Sequence, residues 1–213
     1  MRTDVLVEQL SRELRPVRPR SMVREAAFLL VLAATEIAAF LGLGFLRPDI
    51  PKALEAPSFW WKLASTALIA ALAASVAILS IDPARSPRRG LHRILACIAA
   101  IFASGWLIDA AQSGLETFAA RLDWPRGLQC VGVIVALSIP PAIGFARLLR
   151  RGAPTDRNGT ALAAGLSSAA WGAFVFAWAC PSDDPLYAAV WYTVACTIAT
   201  VAARAVLLRL SRW

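Results

Sequence analysis

Charge is scarce in this chain. Only 17% of its 213 residues are Asp, Glu, Lys or Arg, against about a quarter in soluble globular proteins. Histidine is nearly absent, with His92 alone at the inner interface, where a solvated role is expected, and no quinone or haem ligand set is evident. The four cysteines, Cys97, Cys130, Cys180 and Cys196, form no C-x-x-C pair, which argues against a zinc ribbon or a thioredoxin-type motif. A cleaved signal peptide is not expected. The first apolar run follows a polar stretch of about 25 residues and has no small-residue cleavage site.

Apolar residues make up 58% of the chain. A helix needs about 20 mostly apolar residues to cross the hydrocarbon core of a bilayer. Six runs qualify: about Ala26 to Leu46, Phe59 to Ile81, Leu91 to Ala111, Gly127 to Leu149, Asn158 to Cys180 and Pro185 to Leu208. Pro51, Pro57, Pro83, Pro87, Pro125, Pro154, Pro181 and Pro185 punctuate the connections between them. The expected fold is all-α: a polytopic membrane protein of six transmembrane helices (residues 26–213), preceded by an arm over residues 1–25.

The net charge of +8 resembles that of a nucleic-acid binder, but the cations cluster between apolar runs, as membrane orientation requires. No direct nucleic-acid partner is expected. Seventeen Lys and Arg fall in the N-terminal segment, the second and fourth loops and the C-terminus, against five in the remaining loops and span ends. That bias predicts both termini in the cytoplasm. Trp60, Trp61, Trp106, Trp124 and Trp178 fall near the opposite interface, where an indole keeps its N–H wet.

Within the spans, Ala161, Gly165 and Ala169 share one row and Ala164, Ser168 and Gly172 another. Small residues four apart let helix backbones approach closely in lipid, so the fifth span is expected at the bundle centre. Pro140 and Pro141 predict a kink in the fourth. Glu36 is the one acidic residue deep in a span. It is expected to be neutral or hydrogen-bonded to Thr35, Ser65 or Thr66.

The threading brings Cys130, just inside the fourth span, and Cys180, at the end of the fifth, to one depth near the outer interface. Cys97 and Cys196 lie elsewhere. Thiols there can form a disulfide, hold a soft metal ion or act as small apolar residues; residue chemistry alone leaves these open. Asp123, Asp183 and Asp184 are expected to make that surface acidic. Residues Thr3 to Leu14 read as an amphipathic helix, with Leu6, Leu10 and Leu14 at four-residue spacing beside Val7. Pro16 stops it, and a stiff basic connector begins with Val17. Such an arm can lie on the lipid surface or seat its leucines in a groove on a soluble partner.

Several of these features together resemble a known family. They are the Asp4-x-Leu6-x3-Leu10-x3-Leu14-x-Pro16-Val17 arm, the six spans, and Arg150-Arg151-Gly152-Ala153-Pro154-Thr155 before the fifth. To these are added Cys180-Pro181-x-Asp183-Asp184-Pro185 and Trp191-Tyr192. The chain resembles bacterial membrane anti-sigma factors of the negative-regulator-of-sigma-F type. The resemblance implies a non-enzymatic protein of the bacterial inner membrane that sequesters an extracytoplasmic-function sigma factor. It implies that Cys130 and Cys180 are the two required cysteines, which respond to heavy metal or oxidation, and that Leu6, Leu10, Leu14, Pro16 and Val17 meet the sigma factor. No cofactor is required, though a soft ion (copper, cadmium or zinc) held by Cys130 and Cys180 would be the signal. Two other classes remain: a membrane thiol oxidoreductase passing electrons to quinone, and a small transporter coupled through Glu36.

Overall fold

The computed structural model describes Glu8, residues 21–112 and residues 121–210, with the side chains of 110–112 excepted. The arm residues Leu6, Leu10, Leu14, Pro16 and Val17 lie outside the described residues. Among those described, the regular structure is helical without strands. Six helices are long and apolar enough to cross a membrane: Met22–Gly42, Pro57–Ser80, Arg88–Asp109, Trp124–Leu149, Arg157–Ala177 and Pro185–Leu210, termed spans 1 to 6.

Local chemistry sets their ends. Span 1 begins where the Ser21 hydroxyl accepts from the Arg24 N–H. It stops at Gly42, four residues before the end expected from hydropathy, and Gly44 follows at φ +83°, where the missing Cβ avoids strain. A four-residue helix, Ile50–Ala53, lies in the first connection. Pro57 opens span 2 as an early-turn proline that leaves no helical acceptor unpaired. The Asp123 carboxylate caps span 4 from a left-handed backbone (φ +30°) by accepting from the Arg126 N–H. Asp156 caps span 5 by accepting from the Gly159 N–H at 2.9 Å.

Span 4 is interrupted at Ser138, between Trp124–Leu137 and Ile139–Leu149. Pro140 and Pro141 have no N–H to donate to the carbonyls a turn earlier. The Ser138 hydroxyl, at the break, donates to the Ile134 carbonyl.

Span 5 forms the centre, as the small-residue rows predict: 78% of its apolar window is buried, against 6% in span 1. Each row has a use. A Cβ on Gly165 would sit 2.9 Å from the Thr200 carbonyl oxygen of span 6, and one on Gly172 would sit 2.7 Å from the Ile134 carbonyl oxygen of span 4. On the third side, Ser167 donates to the Ala70 carbonyl of span 2. Glycine and alanine thus bring three neighbouring backbones against one helix.

Glu36 has a partner other than those expected. Its carboxylate accepts from the Trp171 indole N–H at 3.0 Å, tying peripheral span 1 to central span 5. Thr35, Ser65 and Thr66 instead donate to backbone carbonyls of their own helices.

The short connections sort onto two ends. At one, the Arg47 N–H donates to the Trp178 carbonyl, joining the first and fifth connections. At the other, the Thr155 hydroxyl donates to the Pro83 carbonyl, joining the second and fourth. These are termed the cysteine end and the basic end.

Candidate functional site

Cys180 follows span 5 by three residues, in the segment Trp178–Asp184 that leads into span 6. Without neighbours this polar stretch would have no reason to hold one shape. Two cations hold it. The Arg47 guanidinium donates to the Cys180 carbonyl at 3.0 Å, the Pro181 carbonyl at 3.1 Å and the Asp183 carboxylate at 2.8 Å. It also forms a two-pronged pair with Asp49, at 2.7 and 2.6 Å. Lys62 reaches the same segment from span 2, donating to the Ser182 carbonyl at 2.8 Å and to Asp183 at 3.1 Å. The two cations are 5% and 2% exposed. Burial at that depth is tolerable because each charge is paired with a carboxylate and hydrogen-bonded to backbone carbonyls.

Asp184 anchors the other end of the segment. It accepts from Arg121 at 2.6 and 2.8 Å and from the Leu186 N–H at 2.8 Å, which caps span 6. Arg121 also pairs with Asp109 at the end of span 3. The acidic surface expected of Asp183 and Asp184 is therefore committed internally to Arg47, Lys62 and Arg121.

The clamped segment presents Cys180 to Cys130. Both side chains are buried and both thiols are free. They lie within hydrogen-bonding reach of each other. The Tyr187 hydroxyl stands 3.2 Å from the Cys130 sulfur, and the Cys180 thiol faces the Ser182 carbonyl at 3.7 Å. The hydrogen bond with Cys130 holds the Cys180 thiol below its ordinary range, with the Lys62 ammonium adding to the effect against the pull of desolvation. Cys180 is thereby the more nucleophilic partner, since the thiolate is the reactive form.

An aromatic layer seats the helices that carry the pair. Trp191 donates from its indole to the Leu122 carbonyl at 2.7 Å and meets Trp124 edge-on at 5.2 Å. Gly127 admits this ring, because a Cβ there would lie 2.0 Å from it. Beside it, a polar cavity of about 590 Å³, lined by Arg121, Arg126, Gln129, Cys130, Pro181 and Asp184 among others, brings Cys130 to its wall.

The geometry unites Cys130 with Cys180, as the threading anticipates, and leaves Cys97 and Cys196 apart. No group of three or more His, Cys, Asp or Glu with metal-ligand geometry occurs among the described residues. An ion here would rest on two sulfurs plus oxygen donors such as Tyr187. Sequence reasoning missed the clamp and counted Arg47 and Lys62 only for topology. The available signal was Lys62 itself, a cation inside an apolar run, which requires a buried partner.

Comparison with known proteins places these features in a family. The family model described as negative regulator of sigma F matches residues 10–213. The anti-sigma-F factor NrsF of Caulobacter vibrioides (strain NA1000 / CB15N) is 29% identical over 202 residues, covering 91% of each chain. No solved structure matches. The chain belongs to the negative-regulator-of-sigma-F family of anti-sigma factors, which are regulatory proteins and have a sigma factor as partner.

Proposed function

From membership of that family we propose a membrane-embedded anti-sigma factor that sequesters an extracytoplasmic-function sigma factor and releases it when Cys130 and Cys180 meet a heavy metal or an oxidant. The observation that carries this reading is the reduced thiol pair, buried side by side and held by a charge clamp at one end of the bundle. In this reading the cysteine end faces the periplasm across the bacterial inner membrane. The termini and the basic loops face the cytoplasm, as the 17-to-5 distribution of Lys and Arg favours. The arm, through Leu6, Leu10, Leu14, Pro16 and Val17, holds the sigma factor.

Signal transfer follows from what either stimulus does to the sulfurs. Oxidation joins them by an S–S bond with loss of two electrons and two protons. A copper, cadmium or zinc ion draws two thiolates toward itself with loss of two protons. Either event changes how span 4 sits against the segment clamped by Arg47 and Lys62. Span 4 is already divided at Ser138 into two helical segments, and Cys130 lies in the first of them. Reversing a 1:99 population requires about 5.5 kcal/mol of differential stabilisation, a demand on the scale of a covalent bond or a metal–thiolate site.

The test is transcription from a sigma-dependent promoter in cells carrying Cys130→Ser or Cys180→Ser, challenged with cadmium or with diamide. Each single variant is expected to keep repression and lose induction. Wild-type induction in both variants would end the sensor assignment while leaving the family assignment intact.

A further inference from the structure

The two thiols of the pair are not equally reachable. The polar cavity of about 590 Å³ at the cysteine end has Cys130 on its wall but not Cys180. Cys130 keeps 5% exposure, whereas Cys180 has 0%. Tyr187, whose hydroxyl meets the Cys130 sulfur at 3.2 Å, lines the same cavity, so the sulfur side of Cys130 borders it. The Cys180 sulfur instead faces Cys130, the Ser182 carbonyl and Tyr192, in the segment that Arg47 and Lys62 clamp.

The cavity suits a polar molecule of several heavy atoms. A water occupies about 30 Å³ of liquid volume, so the space is far larger than a peroxide or a bare ion requires. Its lining carries both signs of charge and an amide: Arg126, Asp123 and Gln129. Arg126 and Asp123 pair at 3.3 Å from side chains 73% and 38% exposed, a contact that a polar guest displaces at little cost. Such walls disfavour a lipid tail, which would strip water from charged groups without replacing it.

We propose that this cavity admits a small, water-soluble organic disulfide to the Cys130 sulfur, and that Cys180 then resolves the adduct. In the first exchange the Cys130 sulfur attacks one sulfur of the disulfide RSSR. The RS–SR bond breaks, Cys130–S–SR forms, and the Cys130 proton leaves on the first RSH. In the second, the Cys180 sulfur attacks the Cys130 sulfur and breaks its bond to SR. The Cys130–Cys180 bond forms, and the Cys180 proton leaves on the second RSH. The protein loses two electrons and two protons, and RSSR is reduced to two RSH. The roles divide because access belongs to Cys130 and nucleophilicity to Cys180. A deep thiol that no bulk reagent reaches still lies beside the sulfur it must attack. That this route carries the oxidative signal rests on the sensor role proposed above, whereas the order of attack belongs to the protein alone.

The test exposes the reduced full-length protein in nanodiscs to bis(2-hydroxyethyl) disulfide, quenches samples with acid over time and maps adducts by peptide mass spectrometry. In the wild type the first mixed disulfide is expected on Cys130, followed by the Cys130–Cys180 bond. Cys180→Ser is expected to stop at the Cys130 adduct. In Cys130→Ser, Cys180 is expected to react at least about tenfold more slowly than Cys130 does in Cys180→Ser. Gln129→Trp, which fills the cavity and keeps both thiols, is expected to slow bond formation at least about fivefold. A first adduct on Cys180 in the wild type, a time course that depends on no variant folding, would overturn the proposal. So would bond formation in Gln129→Trp at the wild-type rate. The promoter assay reads the sensor role separately: a bond formed in this order without induction in cells would sink that role and leave the route standing.

Discussion

Two sets of cations, one at each end of the bundle, are held in opposite ways. At the cysteine end Arg47 and Lys62 are buried, and Arg47, Lys62 and Arg121 all reach carboxylates within hydrogen-bond distance. At the basic end Arg85 meets Asp82 at 3.8 Å and Arg88 meets Asp156 at 3.9 Å, from side chains 55% and 81% exposed. The difference teaches what each set is for. Buried, multiply bonded cations shape a segment that would otherwise be irregular. Exposed, weakly paired ones stabilise little and leave their charge open to solvent.

Removing the clamp should produce the largest effect. Arg47→Ala leaves Asp49 without its guanidinium and Asp183 with Lys62 alone, and is expected to cost about 3 kcal/mol in denaturant unfolding of the purified protein. Arg47→Lys should recover only part of that, because an ammonium cannot reproduce the two-pronged contact with Asp49. If Arg47→Ala were neutral, the two ends would be energetically alike and the comparison would fail.

Next in size is the aromatic layer beneath the clamp. Gly127→Ala sets a methyl against the Trp191 ring, whose indole is fixed on the Leu122 carbonyl. A loss of about 1–3 kcal/mol is expected from overpacking, with a shift in tryptophan emission as the ring is displaced.

Acid sharpens the comparison further. The Arg47 guanidinium beside Asp49 holds its carboxyl down to about 2. With the folded value below the unfolded one, near 4, the contribution is complete above pH 4 and is lost as pH falls through about 2. The acid limb of the unfolding profile should therefore flatten in Asp49→Asn. An unchanged limb would mean that Asp49 is not held by Arg47 in solution.

The smallest effect belongs to the basic end. Arg88→Ala is expected to alter stability by less than about 0.5 kcal/mol, measured in the same unfolding assay. A larger loss there would show that the exposed arginines also hold the fold.

Much of this architecture was legible in the sequence because hydrophobic runs have a length that a bilayer fixes. Six runs and the shared depth of Cys130 and Cys180 follow from counting and from threading parity, and the central fifth helix follows from its rows of small residues. Span ends were less legible. Hydropathy carried span 1 through Leu46, whereas backbone geometry at Gly42–Gly44 ends it earlier. Polar pairings were least legible, because they join residues far apart in sequence: Arg47 with Asp183, Trp171 with Glu36, Arg121 with Asp184. A charge count assigns Arg47 and Arg121 a side of the membrane but not a partner. Even so, a buried lysine at position 62 and an acidic pair at 183–184 on one level signal that partners must exist.

The central claim is that the buried Cys130–Cys180 pair is where the stimulus acts. Intact cells treated with diamide, quenched by alkylation and mapped by peptide mass spectrometry, test it directly, with sigma-dependent transcription followed in the same culture. The account predicts a Cys130–Cys180 linkage, lighter by two hydrogens, that accumulates in step with transcription. Full induction while both thiols remain reduced and alkylatable would contradict it.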